Sequence, residues 1–139
     1  MRKYIFLLLP TILLAGCSDL GDPVNLDESG DDPGEVPTSF SEDLRPILDM
    51  RCTSCHMQGN AQGGLVLSEG ESPDNLLDVE STGYAPDFLV QAGSRNSSVL
   101  YLKLAGDAAY GSTMPLGSTL DSSEIELFGR WIDEGAQDN

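Results

Sequence analysis

The sequence predicts a mainly α domain: a small helical unit with long loops. Two capping patterns each open an amphipathic run, at Ser39–Glu42 and at Asp121–Glu124. No strand-like alternation competes with them, and no internal repeat is present.

The chain has 139 residues, enough for one small domain plus extras. The first helix follows Ser39, with Phe40, Leu44, Ile47 and Leu48 on one face. Pro46 lies inside that pattern and should kink the helix or reset its start. Gly59–Leu67 reads as a loop ending in a short apolar run. Ser72–Glu80 reads as a short helix, with Ser72 as cap and Pro73 at its first position. The run "SSVLYLKLA" predicts another helix, capped by Asn96 or Ser97 and closed by Gly106. A loop of small residues then carries Met114-Pro115. The last helix places Ile125, Phe128, Trp131 and Ile132 together and stops at Gly135.

The N-terminus is not part of this domain. Met1-Arg2-Lys3 is a basic start, followed by the apolar run "YIFLLLPTILLAG". This is the pattern of an export signal over residues 1–16. It is too short for a membrane span and contains Pro10. It ends in Leu14-Ala15-Gly16-Cys17, which resembles the lipobox of bacterial lipoproteins. That resemblance implies cleavage before Cys17, lipidation of Cys17 and a membrane anchor facing the periplasm. Ser18, rather than Asp, points to the outer membrane by the same resemblance. Cysteine parity agrees, since using Cys17 leaves Cys52 and Cys55 as a self-contained pair.

Residues 17–39 read as an acidic tether. From Ser18 to Ser39 there are seven acidic residues, no basic ones and three prolines. Such a segment cannot bury enough apolar surface to order itself. As a flexible chain it spans about 25 Å root-mean-square. Removing Arg2 and Lys3 with the signal leaves five cations against 23 acids, a formal charge of −18. That surface repels other anions, so nucleic acid is excluded as a partner. The folded domain is expected at 40–137. About a hundred residues rich in Gly and Ser loops are short of core, and a bulky apolar cofactor would supply one.

The chemistry is concentrated in Cys52-Thr53-Ser54-Cys55-His56, which contains the only histidine. Cys-x-x-Cys-His is the attachment signature of c-type haem. Two thiols one helical turn apart can each add across one haem vinyl, and the next residue offers its imidazole to the iron. Three other uses of these residues stand beside this one: a structural disulfide, a thioredoxin-like redox pair and a zinc site. The disulfide leaves His56 unexplained. The redox pair expects a βαβ setting. Zinc needs four ligands, and the chain lacks the fourth outside Cys17. For a second axial ligand to haem, only methionine is available. Met57 adjoins His56, and Met50 sits in the entering helix, on the proximal side or in the core. Met114, 58 residues downstream of His56, is the distal candidate. Gly63-Gly64 could let backbone approach the cofactor edge, and Tyr101 and Tyr110 could bond its carboxylates.

Residues 40–137 resemble a class I c-type cytochrome domain, and more narrowly the cytochrome domains widespread in planctomycetes and related bacteria. The matching pieces are "DLRPILDMRCTSCH", "GGLVL", "AGSRNSSVLYLKL", "MP" and "SSEIELFGRWIDEGA". The resemblance implies a cytochrome c-like helical domain wrapped around one covalent haem c. It implies attachment through Cys52 and Cys55, His56 as proximal ligand and Met114 as distal ligand. It also implies that the first and last helices cross, with Phe40, Leu44, Phe128 and Trp131 in the core. Many relatives are parts of multidomain proteins; this chain shows only the one domain, so separate redox proteins are expected as partners.

The expected function is a membrane-anchored monohaem electron carrier, not an enzyme, since no general base, nucleophile or substrate cleft is evident. Two alternatives belong to other classes. One is a haem enzyme or gas sensor with an open distal site. The other is a haem-free, disulfide-containing lipoprotein that serves as an interaction module. A redox subunit of a larger dehydrogenase keeps the same chemistry.

Overall fold

Pro46 lacks an N–H, so the first helical stretch cannot run as one regular ladder. The computed structural model describes residues 36–70 and 75–139. It resolves that stretch into a widened π-type turn, Phe40–Leu44, followed by helix α1, Arg45–Arg51. Pro46 therefore resets the start, as expected. Ser39 is the cap, its Oγ accepting from Glu42 N at 3.1 Å. The return bond comes from Asp43, whose carboxylate accepts from Ser39 N at 2.9 Å.

The chain divides into the units Met1–Pro33 and Gly34–Asn139, and the second holds all the elements described. The predicted signal, Cys17, the tether up to residue 35, and the proposed cap Ser72 with Pro73 lie outside the described residues.

After α1, a two-residue antiparallel ladder joins β1, His56–Met57, to β2, Asn60–Ala61, with His56 opposite Ala61. Helix α2 spans Val99–Ala105 and is closed by Gly106 in the left-handed region at φ 78°. Its cap is Ser98, one residue beyond the expected positions. Helix α3 spans Ser122–Asp133 and carries the full capping box between Asp121 and Glu124.

The core forms where the first and last helical segments meet. Phe40, Leu44, Leu48, Phe128, Trp131 and Ile132 are all buried, and the Phe40 and Trp131 rings lie 5.2 Å apart. The C-terminal tail seals this junction. Trp131 Nε1 donates to Gln137 O at 2.8 Å, and Asn139 accepts from the backbone N–H groups of Phe40 and Ser41. The tail's hydrogen bonds to the first turn thus reach Asn139.

Two expectations are corrected. The chain does not form the mainly α, cytochrome c-like helical domain that was expected. Among the described residues it is modestly helical: three α-helices hold 7, 7 and 12 residues, beside one minimal sheet and long irregular segments. Glycines in the left-handed region, Gly59, Gly63, Gly64 and Gly70 among them, break the stretch after α1 into turns. The second correction concerns the helix expected at Ser72–Glu80. Its described part is turn and isolated bridge: Val90 N donates to Leu76 O, and Leu89 N to Val79 O. Asp78, at φ 54°, adopts the left-handed conformation that no helix interior tolerates. Leu76 and Val90 are fully buried, so tertiary packing overrides the local helix signal.

Candidate functional site

The turn Cys52–His56 grows directly from the end of α1. Cys52 N still donates to Leu48 O at 2.8 Å, which continues the helical ladder by one residue. Cys55 N and His56 N then both donate to Cys52 O, at 3.1 and 3.0 Å. This winds the segment into a turn and brings both cysteines to one wall. His56 is held at both ends of its peptide unit, because its carbonyl accepts from Leu67 N at 2.7 Å. Local hydrogen bonding therefore fixes the position of the motif before any ligand is considered.

Beside this turn lies a cavity of about 610 Å³. That volume is in the range of sites for small molecules and cofactors, roughly 300–1,000 Å³. Cys52, Cys55, His56 and Met114 all line it. The fourth comes from a separate loop, anchored where Met114 N donates to Lys103 O at 3.0 Å. Leu65, Leu89 and Val99 supply apolar wall, and Gly63 adds backbone. A Cβ at Gly63 would meet nothing within 4 Å, so its need for glycine is the positive φ of 66°, not space.

The chemistry of the four side chains differs. Cys52 and Cys55 are free thiols, the first half-buried and the second exposed. Burial pushes the Cys52 thiol up to about 11, with Arg45 and Arg51 opposing the shift in part. Cys52 is thus a neutral, slow-exchanging thiol at ordinary pH, unlike the activated thiolates of redox-exchange motifs. His56 Nδ1 is buried with no hydrogen-bond partner. A buried polar nitrogen left without a partner in a native site calls for an explanation. Among the described residues, no cluster of three or more His, Cys, Asp or Glu could hold a metal ion by itself.

The structure separates the remaining candidates. Met50 is 80% exposed at the cavity rim, not in the core. Met57 is exposed and does not line the cavity. Tyr101 lies under the Arg95 guanidinium, 5.4 Å from ring to charge, and Tyr110 donates to Asp87 at 2.8 Å. Neither lines the cavity. The polar wall is made instead by Tyr84, Lys103 and Arg51. Tyr84 sits in the loop just after the segment expected as the helix Ser72–Glu80, so nothing in the sequence signals its place in the cavity wall. Lys103 had one: it is the only lysine outside the signal.

Residues 1–18 match the family described as the prokaryotic membrane lipoprotein lipid attachment site, and Cys17 falls within that match. The chain is a lipid-anchored lipoprotein of the bacterial envelope. No curated protein and no solved structure matches it. The resemblance to cytochrome domains thus finds no counterpart in these comparisons, while the lipobox does. No helix among the described residues is long and apolar enough to cross a membrane. In this envelope lipoprotein, lipid at Cys17 is the anchor the sequence provides.

Proposed function

We propose that this lipoprotein carries one covalently attached haem in the cavity beside Cys52–His56 and moves single electrons between redox proteins on the periplasmic side of its membrane, the outer membrane by its Ser18 signal. The observation that carries the reading is convergence. One cavity collects the two thiols, the only histidine and a methionine 58 residues away in sequence. Neither a disulfide nor a redox-exchange pair needs the last two.

The donor set suits the group. Each thiol can add its S–H across one vinyl: a carbon–sulfur bond forms, the π bond opens, and the hydrogen goes to the other vinyl carbon. The addition needs no oxidant. His56 would serve as proximal ligand and Met114 as distal ligand. The buried, unpartnered nitrogen of His56 fits a ring whose surroundings are completed by something other than protein. Bound haem would supply the reversible one-electron step, and thioether ligation favours a higher potential than a second histidine. The chain's own tasks are to hold the group, exclude water with Leu65, Leu89 and Val99, and present Met114 from an anchored loop.

The test is the intact mass of the exported chain, made in a host with haem-attachment machinery. The wild type should carry the mass of one haem, and the double variant Cys52→Ser, Cys55→Ser should not. Equal masses would remove the proposal.

A further inference from the structure

The protein is strongly acidic, with 23 Asp and Glu against 7 Lys and Arg. In such a chain every cation has carboxylates to choose from. Arg45 pairs with Asp49, and Arg95 pairs with Glu126 and Asp133. Arg51 and Lys103 pair with no carboxylate among the described residues. Both line the same cavity, and none of the described residues lining that cavity is acidic.

The contacts these two cations do make are all to neutral groups. Lys103 Nζ donates to Tyr110 O at 2.8 Å, and makes longer contacts to Tyr84 Oη at 3.2 Å and Ser112 O at 3.4 Å. It also lies 5.0 Å from the centre of the Tyr84 ring. Arg51 Nη2 donates to Thr119 O at 2.9 Å, while its Nε is buried without a partner. Neutral acceptors satisfy hydrogen bonds but leave the charge uncompensated. A half-buried charge beside apolar wall is costly unless an opposite charge joins it.

We infer that the cavity selects a ligand with an apolar body and carboxylate substituents, and that Lys103 and Arg51 receive those carboxylates. A simple anion would make no use of Leu65, Leu89 and Val99. A wholly apolar ligand would press against two uncompensated charges. The two longer contacts of Lys103 are the ones an arriving carboxylate would replace. Haem, with its two carboxylate side chains, belongs to this class. The inference rests on the haem reading for the ligand's body and deepens it by assigning the residues that meet its acidic edge. Tyr101 and Tyr110, the expected partners, are turned to Arg95 and Asp87 instead.

The experiment uses the full haem-loaded chain and the resonance Raman band of the haem carboxylate bending motion, which reports hydrogen bonding at those groups. Lys103→Met should shift the band to lower frequency, and Lys103→Arg should return it toward the wild-type position. Arg51→Met should shift it as well, and that variant keeps the Lys103 Nζ contacts to Tyr110 O and Ser112 O if Lys103→Met fails to fold. A band unmoved in both methionine variants would overturn the inference while leaving the haem reading intact. A wild-type chain without haem would overturn both, and this would be visible before any variant is made.

Discussion

Gly129 is buried on α3 because an arginine crosses the helix at that point. A Cβ there would lie 2.5 Å from Arg95 Nη1 and 2.6 Å from its Cζ, distances at which something must shift. The guanidinium cannot move freely, since it bonds Asp133 and Glu126 of the same helix. Two terms set the size of Gly129→Ala. Alanine in a helix interior gains about 1 kcal/mol over glycine. Overpacking a filled site costs about 1–3 kcal/mol, and if Arg95 swings away instead, two half-exposed ion pairs worth about 0.2–1 kcal/mol each are lost with its packing. The net expectation is a loss of about 1 kcal/mol, or about 4–8 °C in Tm for a domain of this size. In an Arg95→Ala background the clash is gone and only the propensity gain remains, so Gly129→Ala should then stabilise by about 1 kcal/mol. Thermal unfolding of the four proteins in this cycle, each lacking signal and lipid, measures the sign change. Stabilisation by Gly129→Ala in both backgrounds would refute the packing argument. The point bears on the site, because Arg95 opens the turn that leads into α2, and α2 carries Lys103.

Other outcomes follow from the same geometry. In chain produced without haem, exposed Cys55 should alkylate before Cys52, and Cys52 labelling should rise about tenfold per pH unit toward about 11; equal rates at pH 8 would contradict its burial. Since the unfolded thiol ionises near 9.0 and the folded one near 11, the Cys52 contribution to stability should be intact below pH 9 and disappear between those values. Met114→Ala should keep the covalent haem, lose the ferric sulfur–iron absorption and let the ferrous form bind carbon monoxide; an unchanged ferric band would rule Met114 out as ligand. Cys17→Ser should move the protein from the membrane to the soluble envelope fraction, and membrane retention would show a second anchor.

The parts of the fold that could be read from sequence were those governed by local chemistry. Ser39 and Asp121 cap their helices because the side-chain oxygens reach the next turn whatever surrounds them. Phe40, Leu44, Phe128 and Trp131 recur on helical faces, and they are buried where those faces meet. The helix expected at Ser72–Glu80 rests on a local start signal, Ser72 followed by Pro73, while the partners of Leu76, Val79 and Glu80 lie about ten residues further on. The cavity divides in the same way. Its Cys52–His56 wall is encoded in five consecutive residues. Its Tyr84 and Lys103 wall comes from two segments whose approach depends on that pairing, and Arg51 gave no sign of its unpaired state. The excess of acids in the chain is legible; which cations escape them is a property of the folded molecule.

The claim on which the rest depends is covalent haem at Cys52 and Cys55. It is tested most directly by the absorbance of the exported protein denatured in alkaline pyridine after extraction with acidified organic solvent. A c-type haemochrome band that remains with the polypeptide is the predicted result. A colourless polypeptide with Cys52 and Cys55 unmodified, or a haem that leaves with the solvent, would contradict it.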